Sequence, residues 1–293
     1  MGHGSWKSED FDKYSRKVRG VDARELEHKT FSAQEFYRAR SLNSSLSPKG
    51  VSRLCRDSEE HPNTLPVILA LDVTGSMGSA AVRAATSLNS IITGIYNSNT
   101  IKDVEFCVMA LGDIHYDKAP IQISQFESDI RIAEQMDCIW FEGGGGANNY
   151  ESYSAAWYMG LNHCNLDCWN RGKKAIIITL GDEMPNPYLN AAELSCVTGD
   201  TIQADIETEN LLKEIKEKFE VYHLSVKDPA SSYDRNQRSY DLDRAWSDLL
   251  GEDHYSVVTI EELSQTLTEI VKNHADSNNS NWEQSRIKHK HFW

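Results

Sequence analysis

Short apolar segments alternate with longer amphipathic segments over most of this chain. Segments that are apolar throughout, or that alternate apolar and polar residues, are typical of strands; these are residues 67–71, 104–111, 119–126, 174–180, 220–226 and 255–258. Segments with apolar residues every three or four positions are typical of helices; these are residues 79–96, 128–137, 150–164, 201–219, 241–250 and 259–273. The alternation predicts a doubly wound α/β fold, with a mostly parallel sheet, helices on both faces and residues 119–126 as an antiparallel edge strand.

The segments on either side differ in composition from this alternating region. Residues 1–62 are polar and mixed in charge, and we expect them to form an arm that precedes a domain at residues 63–273. Within the arm, Ser32 and Glu35 have the spacing of a helix capping box. Its aromatic residues favour packing against a surface, either of the same domain or of a neighbouring subunit: Trp6, Phe11, Tyr14, Phe31, Phe36 and Tyr37. Residues 274–293 are rich in Asn and Ser, which favours a flexible tail, with a docking peptide as the alternative.

Charge and composition narrow the classes of function. The formal net charge of −14 argues against nucleic-acid binding, which relies on dense Lys and Arg, and it suits a site for cations. No run of about 18 apolar residues is present, so we expect no membrane span. The N-terminus has no apolar segment of a secretory signal, which makes the cytoplasm the expected location. The six cysteines lack the spacing of a disulfide framework and are expected to be reduced.

Three side chains that carry oxygen follow the first strand. Asp72, Thr74 and Ser76 occupy alternate positions of a turn, and Gly75 and Gly78 end the strand there. One carboxylate and two hydroxyls are hard ligands, which suit Mg²⁺, Mn²⁺ or Ca²⁺ better than a soft metal. Helix capping by Ser76 is the simpler alternative. It does not explain an acid at the end of a buried strand, where burial needs compensation.

The same stretch resembles the metal-ion-dependent adhesion site (MIDAS) of von Willebrand factor A (vWA) domains, whose first motif reads Asp-x-Ser-x-Ser. Here it reads Asp72-Val-Thr74-Gly-Ser76, followed by Met-Gly as is usual in the family. The resemblance covers about residues 66–273. It implies a vWA or Rossmann-like fold and a bound Mg²⁺, Mn²⁺ or Ca²⁺ that keeps one coordination position open for an acidic side chain of a protein partner.

The family's site needs two further loops, of which the first carries an Asp. Residues 174–180 have the pattern of a buried strand, and Gly181-Asp182 follows them, so Asp182 matches this acid. Because the carboxyl ends of neighbouring parallel strands lie side by side, Asp72 and Asp182 are expected to meet. An acid that merely ends a strand is the simpler alternative.

The second loop carries a Thr in the family, and this chain departs from that pattern. Residues 143–151 contain four consecutive glycines and no Thr. Glycines let the backbone approach a ligand closely, and an amide oxygen can bind Mg²⁺ or Ca²⁺. Asn148, and after it Asn149, are therefore the candidates for the missing ligand, with a flexible loop as the alternative.

Enzyme signatures are mostly absent from the chain. Ser76 is not part of a Gly-x-Ser-x-Gly nucleophile elbow, and no Walker A loop with its lysine follows the first strand. A Mg²⁺-dependent phosphohydrolase with Asp72 as nucleophile is the enzyme alternative. Such enzymes resemble Asp-x-Asp-x-Thr, and Thr74 replaces the second acid, which would be the proton donor.

The expected function is that of an intracellular, non-enzymatic vWA-like module. It would bind magnesium or a related divalent cation through Asp72, Thr74, Ser76 and Asp182, with Asn148 as a further candidate, and mediate protein–protein interaction. A self-assembling scaffold subunit, a homo-oligomer held through its arm or tail with a structural metal, is the alternative from a different class.

Overall fold

A computed structural model of the protein describes residues 4–96, 103–146, 150–227 and 237–275, with the backbone alone for 237–239. The strands in these ranges are β1 (Arg53–Cys55), β2 (Leu65–Asp72), β3 (Val104–Leu111), β4 (Ile121–Ile123), β5 (Tyr150–Glu151), β6 (Cys164–Leu166), β7 (Ala175–Gly181), β8 (Met184–Pro185), β9 (Tyr188–Leu189), β10 (Ile206–Glu207), β11 (Phe219–Lys227) and β12 (Tyr255–Thr259). The α-helices are α1 (Ser8–Arg19), α2 (Ala23–His28), α3 (Ala33–Phe36), α4 (Gly78–Thr86), α5 (Leu88–Tyr96), α6 (Arg131–Met136), α7 (Ser154–His163), α8 (Ala191–Thr198), α9 (Thr208–Ile215), α10 (Gln237–Leu250) and α11 (263–275).

The central sheet runs through the middle of the molecule. Among the described strands, six form it, in the spatial order β12-β11-β7-β2-β3-β4. Neighbours are parallel except for β3 and β4, which are antiparallel. β2 lies between β7 and β3, and all of its residues are buried. The predicted doubly wound, mostly parallel sheet with an antiparallel edge strand is confirmed.

Side chains of β2 alternate between the two faces of the sheet, as β geometry requires. Val67, Leu69 and Leu71 belong to one apolar core, together with α4, α5, α6 and α11. Ile68 and Ala70 belong to a second core, together with α7, α8, α9 and α10. Because helices cover both faces, the carboxyl ends of the strands are where polar side chains of the sheet can collect.

The N-terminal segment lies against the first of these faces. Phe11 of α1 and Phe36 of α3 belong to the same core as α4. Tyr37 is fully buried, and its hydroxyl donates to the carbonyl oxygen of Ala81 in α4 at 2.8 Å. Of the two surfaces that could receive the arm, its own domain is therefore the one that these aromatic residues contact.

Helix starts agree with the capping signals in the sequence. The capping box expected at Ser32 is present, and a second one lies at Thr259; each has a Glu three residues later. The predicted helix at residues 201–219 begins only at Thr208, because residues 206–207 pair with β9 as strand β10. The predicted helix at residues 79–96 is divided at Ser87 into α4 and α5.

Three helices lie where the apolar pattern predicts none: α1 and α2 in the N-terminal segment, and α8 after β9. The side chain of Asn190 accepts from the backbone N–H groups of Ala192 and Glu193 at the start of α8, and Gly199 ends the helix with φ 82°. Both are ordinary helix-end signals. The pattern fails for α8 because this helix is short and buries little: only Leu194 and Thr198 are buried among its residues.

Three broader expectations concern the chain as a whole. From residue 276 onward, the predicted tail lies outside the described residues. No helix in the four described ranges is both long enough and apolar enough to cross a lipid bilayer. All six cysteines are free thiols, as expected from their spacing.

Candidate metal centre

Two neighbouring strands lead to acids at the same edge of the sheet. β2 ends at Asp72, and β7 ends at Gly181, directly before Asp182. The two strands pair in parallel with Leu71 opposite Leu180, so the acids leave the sheet side by side. The structure therefore brings together the two carboxylates that the sequence predicts to meet.

The carboxylate of Asp72 is fully buried and held by hydrogen bonds. Its Oδ1 accepts from the backbone N–H of Thr74 at 2.8 Å and from the Thr74 hydroxyl at 2.5 Å. Its Oδ2 accepts from the hydroxyl of Tyr153 at 2.7 Å. Tyr153 is the N-cap residue of α7 and is also fully buried, so water does not compete for this bond. These bonds fix the carboxylate at the sheet edge.

Ser76 and Asp182 form the outer part of the group. Ser76 is exposed, Asp182 is half-buried, and the Ser76 hydroxyl donates to Oδ1 of Asp182 at 3.0 Å. Thr74 is only 3% exposed, because its hydroxyl turns inward to Asp72. Side-chain capping is not the role of Ser76 here, since α4 has Met77 as its N-cap and no side-chain cap bond. The four residues thus form two hydroxyl–carboxylate pairs, one buried and one reaching solvent.

Burial and neighbouring negative charge raise the pKa of Asp72. Burial, and then the carboxylate of Asp182, raise the pKa of Asp72 from 3.8 to about 7. The bonds from Thr74 and Tyr153 act in the opposite direction, but they do not outweigh the two unfavourable contributions. A cation would offset both of them, because it replaces lost hydration and neutralises the neighbouring charge.

The glycine-rich loop is hydrogen-bonded next to the Asp72 turn. The carbonyl oxygen of Gly144 accepts from the N–H of Gly75 at 3.1 Å, and the N–H of Gly145 donates to Oδ1 of Asp117 at 3.2 Å. A Cβ at Gly144 would lie 1.9 Å from that same Asp117 oxygen, and Gly145 has φ 118°. Both positions therefore require glycine. Hydrogen bonds therefore connect the described part of this loop to the Asp72 turn and to Asp117.

The candidate ligands from this loop, Asn148 and Asn149, lie outside the described residues. The acid that follows them, Glu151, is 5% exposed. It lies in β5, which pairs in parallel with β8 and places Glu151 opposite Pro185. Glu151 thus lies alongside the loop that carries Asp182, a position that no pattern in the sequence predicts.

A third strand brings another acid to the same edge. β3 and β7 both lead into Leu-Gly-Asp, at residues 111–113 and 180–182. β3 lies on the other side of β2, so Asp113 reaches the edge that Asp72 occupies. Asp113 is 2% exposed, and its Oδ1 accepts from the N–H of His115 at 2.8 Å. The repeated tripeptide is a sequence signal for this acidic edge.

An aromatic stack lies against Tyr153. The rings of His223 and Trp246 stack with their centroids 3.6 Å apart, and they approach Tyr153 at 5.0 and 5.5 Å. Burial lowers the pKa of His223 well below its usual range, so its ring is neutral. The indole N–H of Trp246 donates to the carbonyl oxygen of Glu183 at 3.1 Å. The stack therefore connects α10 to the loop after β7.

The oxygen atoms at this edge of the sheet are of the chemical types that bind hard divalent cations. In the part of the chain that the structure describes, no three His, Cys, Asp or Glu side chains form a group that could hold a metal ion. The four predicted residues are not a group of that kind, because two of them, Thr74 and Ser76, would bind a cation through hydroxyl oxygens. Carboxylate and hydroxyl oxygens suit Mg²⁺, Mn²⁺ or Ca²⁺. The raised pKa of Asp72 reflects burial and then the negative charge of Asp182, which its hydrogen bonds do not fully offset.

Tyr153→Phe should lower the free energy of unfolding by about 2 kcal/mol, because it removes a buried hydrogen bond to a charged acceptor. Tyr37→Phe is the matched control: it removes an equally buried hydroxyl whose acceptor is a neutral carbonyl, and it should cost about 1 kcal/mol. Urea unfolding near pH 8 without divalent cations measures both variants. Equal losses would mean that Tyr153 does not donate to an ionised carboxylate.

Comparisons with known proteins give a likeness in fold. No protein-family model matches the sequence, and no curated protein matches it. The structure is similar to that of the pilus adhesin SpaC from Lactobacillus rhamnosus GG in its open conformation, with a TM-score of 0.51 and 14% identity. The likeness covers 78% of this chain and 31% of the adhesin chain. For the conserved hypothetical protein BatB from Bacteroides thetaiotaomicron, the TM-score is 0.45 and the identity 14%, over 72% of this chain and 99% of BatB.

At this identity, the likeness to the adhesin concerns the fold alone. This chain spans less than a third of the adhesin's length, since it covers 31% of it. The sheet order, the helices on both faces and this likeness agree with one another. The chain has a vWA-like, Rossmann-like α/β fold, as its sequence predicts.

Proposed function

We propose that this protein is a vWA-like binding module that holds a divalent cation beside the ends of β2 and β7 and binds a protein partner there. The observation that carries the proposal is the convergence of two carboxylates and two hydroxyls at one edge of the sheet; they belong to Asp72, Asp182, Thr74 and Ser76. These oxygen types are ligands of Mg²⁺, Mn²⁺ and Ca²⁺. Mg²⁺ is the first candidate among them.

The four residues have different tasks in this proposal. Ser76 and Asp182 reach solvent and would contact the cation from the outer side of the group. Asp72 and Thr74 lie beneath and would add negative charge and orientation, either directly or through water. A bound divalent cation would supply a positive charge with a coordination position that an acidic side chain of the partner can enter.

Binding is favoured over catalysis because of the way Asp72 is held. The alternative phosphohydrolase needs Asp72 as a nucleophile, yet its side chain is 0% exposed and both of its oxygens accept hydrogen bonds. Thr74 also supplies a hydroxyl where that mechanism needs an acid as proton donor. A non-enzymatic role is therefore part of the proposal.

The partner in this proposal is a protein rather than a nucleic acid or a membrane. The net charge of −14 disfavours phosphate backbones and anionic lipid surfaces, whereas it concentrates divalent cations near the protein. SpaC, which is similar in fold, is named as an adhesin, and a binding role agrees with that name. A cytoplasmic location belongs to the same proposal and agrees with the free thiols.

Saturating Mg²⁺ should raise the melting temperature of the parent protein by several degrees. A ligand that binds only the folded state stabilises it by about 3 kcal/mol at roughly a hundredfold excess over Kd. Ser76→Ala should lose most of this response and keep its fold, because Ser76 is exposed. Ser79→Ala, which lies in the same helix start but outside the four-residue set, is the matched control and should respond like the parent.

Differential scanning calorimetry with Mg²⁺ and with EDTA measures these responses. A parent protein that melts at one temperature under both conditions would refute the metal site. If the parent responds and Ser76→Ala responds equally, the cation binds elsewhere.

A further inference from the structure

Glu151 is a buried acid that follows the glycine-rich loop. Its side chain is 5% exposed, and its Oε2 has no hydrogen-bond partner among the described residues. Most buried polar atoms in proteins are paired, because an unpaired one loses its hydration without replacement. For a carboxylate this loss is larger than for a neutral group. The orphaned oxygen therefore indicates a ligand that the described side chains do not supply.

The backbone places Glu151 beside the four predicted residues. β5 and β8 pair in parallel with Glu151 opposite Pro185, along the loop that carries Asp182. On the other side, a Cβ at Gly145 would lie 3.6 Å from Oε1 of Glu151 and 3.7 Å from Cβ of Thr74. The carboxylate and Thr74 therefore border the same small space, which the absence of a side chain at Gly145 leaves open.

Negative charge surrounds the carboxylate of Glu151. Burial, and then the carboxylates of Asp72, Asp113, Asp117 and Glu183, raise the pKa of Glu151 from 4.5 to about 10. Protonation would relieve this repulsion, but Oε2 would still have no hydrogen-bond partner among the described residues. A divalent cation would satisfy the oxygen and offset the charge together.

We infer that Glu151 is a direct ligand of the cation, in the place that a hydroxyl side chain takes in the adhesion sites that this chain resembles. The inference rests on the proposed function, because it concerns the same cation as Asp72, Ser76 and Asp182. It assigns the missing third ligand to the acid after the glycines instead of to Asn148. Glu151 would share the cation with Ser76 and Asp182, while Asp72 stays hydrogen-bonded beneath them. A further charged ligand raises the affinity for the cation.

The test compares Glu151→Gln with the matched control Glu142→Gln. Glu142 directly precedes the glycines, and its carboxylate accepts from the backbone N–H groups of Lys118 and Ala119. The control therefore removes the same formal charge from the other end of the same loop. Titration calorimetry of the full chain with MgCl₂ and with MnCl₂ gives Kd for each protein. Glu151→Gln should bind at least about tenfold more weakly than the parent, and Glu142→Gln should bind like the parent.

The outcomes separate this inference from the proposed function. If the parent binds the cation and Glu151→Gln binds it as tightly as Glu142→Gln does, Glu151 is not a ligand, and the proposed cation site stands. A parent that binds neither cation would overturn the proposed function and the inference with it. Thermal unfolding in EDTA checks that Glu151→Gln folds. Should it not fold, Glu151→Asp keeps the charge, shortens the side chain, and should weaken binding in the same way.

Discussion

Without divalent cations, Asp72→Asn should gain roughly 3 kcal/mol in the free energy of unfolding, relative to the parent, as the pH rises from about 4 to about 7. The folded parent keeps the proton of Asp72 up to a pKa of about 7, whereas an unperturbed Asp releases it near 3.8. Between these values the folded state binds more protons than the unfolded state. The contribution of Asp72 to stability therefore falls as the pH rises, and Asn has no proton to release.

The difference between variant and parent isolates Asp72 from other acids. Burial also raises the pKa of Glu105 to about 7, but Glu105 is present in both proteins, so its contribution cancels. Urea unfolding in EDTA at about pH 4 and about pH 7 measures the change. At the higher pH, saturating Mg²⁺ should stabilise the parent and leave the variant unchanged. A difference between the two proteins that does not vary with pH would contradict the burial of an ionisable acid at this edge.

Gly181→Ala should lower the free energy of unfolding by more than about 3 kcal/mol, because overpacking and the loss of a buried hydrogen bond act together. A Cβ at Gly181 would lie 1.9 Å from the hydroxyl oxygen of Tyr153 and 2.3 Å from its Cζ. Tyr153 is fully buried against His223 and Trp246, so its ring has no adjacent free space. The clash would also separate the Tyr153 hydroxyl from Asp72.

Gly78→Ala is the matched control for this substitution. Gly78 follows the Asp72 turn and has φ −53°, and a Cβ there would lie 3.4 Å from Cβ of Ala33, its nearest neighbour. Alanine also favours the helix that begins at this residue, so we expect a change within about 1 kcal/mol. Urea unfolding of both variants gives the comparison. If both variants are equally stable, the ring of Tyr153 does not occupy the place next to Gly181.

The sheet could be predicted because its signals are local and strong. A parallel strand that is buried on both faces needs a continuous apolar run, and β2 and β7 contain such runs. Once the two strands are neighbours, the acids after them must come together, and this is the arrangement of Asp72 and Asp182. Thr74 and Ser76 follow from the same turn. This part of the candidate site depends on few long-range contacts.

Glu151 and Tyr153 could not be predicted, because their positions depend on tertiary packing. Glu151 lies in a strand of two residues, which is too short for any periodicity to be seen. Tyr153 precedes a helix whose residues are buried nearly all round, so no amphipathic face indicates its direction. Asp113 is a different case, since the Leu-Gly-Asp that it shares with Asp182 was present in the sequence.

The stack of Trp246 on His223 gives the acidic edge an optical reporter. The indole lies 3.6 Å from the imidazole and donates to the carbonyl oxygen of Glu183, one residue after Asp182. Any rearrangement of that loop changes the electric field at the indole, and indole emission responds to such a field in wavelength and intensity. The chain has seven tryptophans, so the difference spectrum against Trp246→Phe isolates this one. Intrinsic fluorescence can thus follow events at the ends of β2 and β7 in the unlabelled protein.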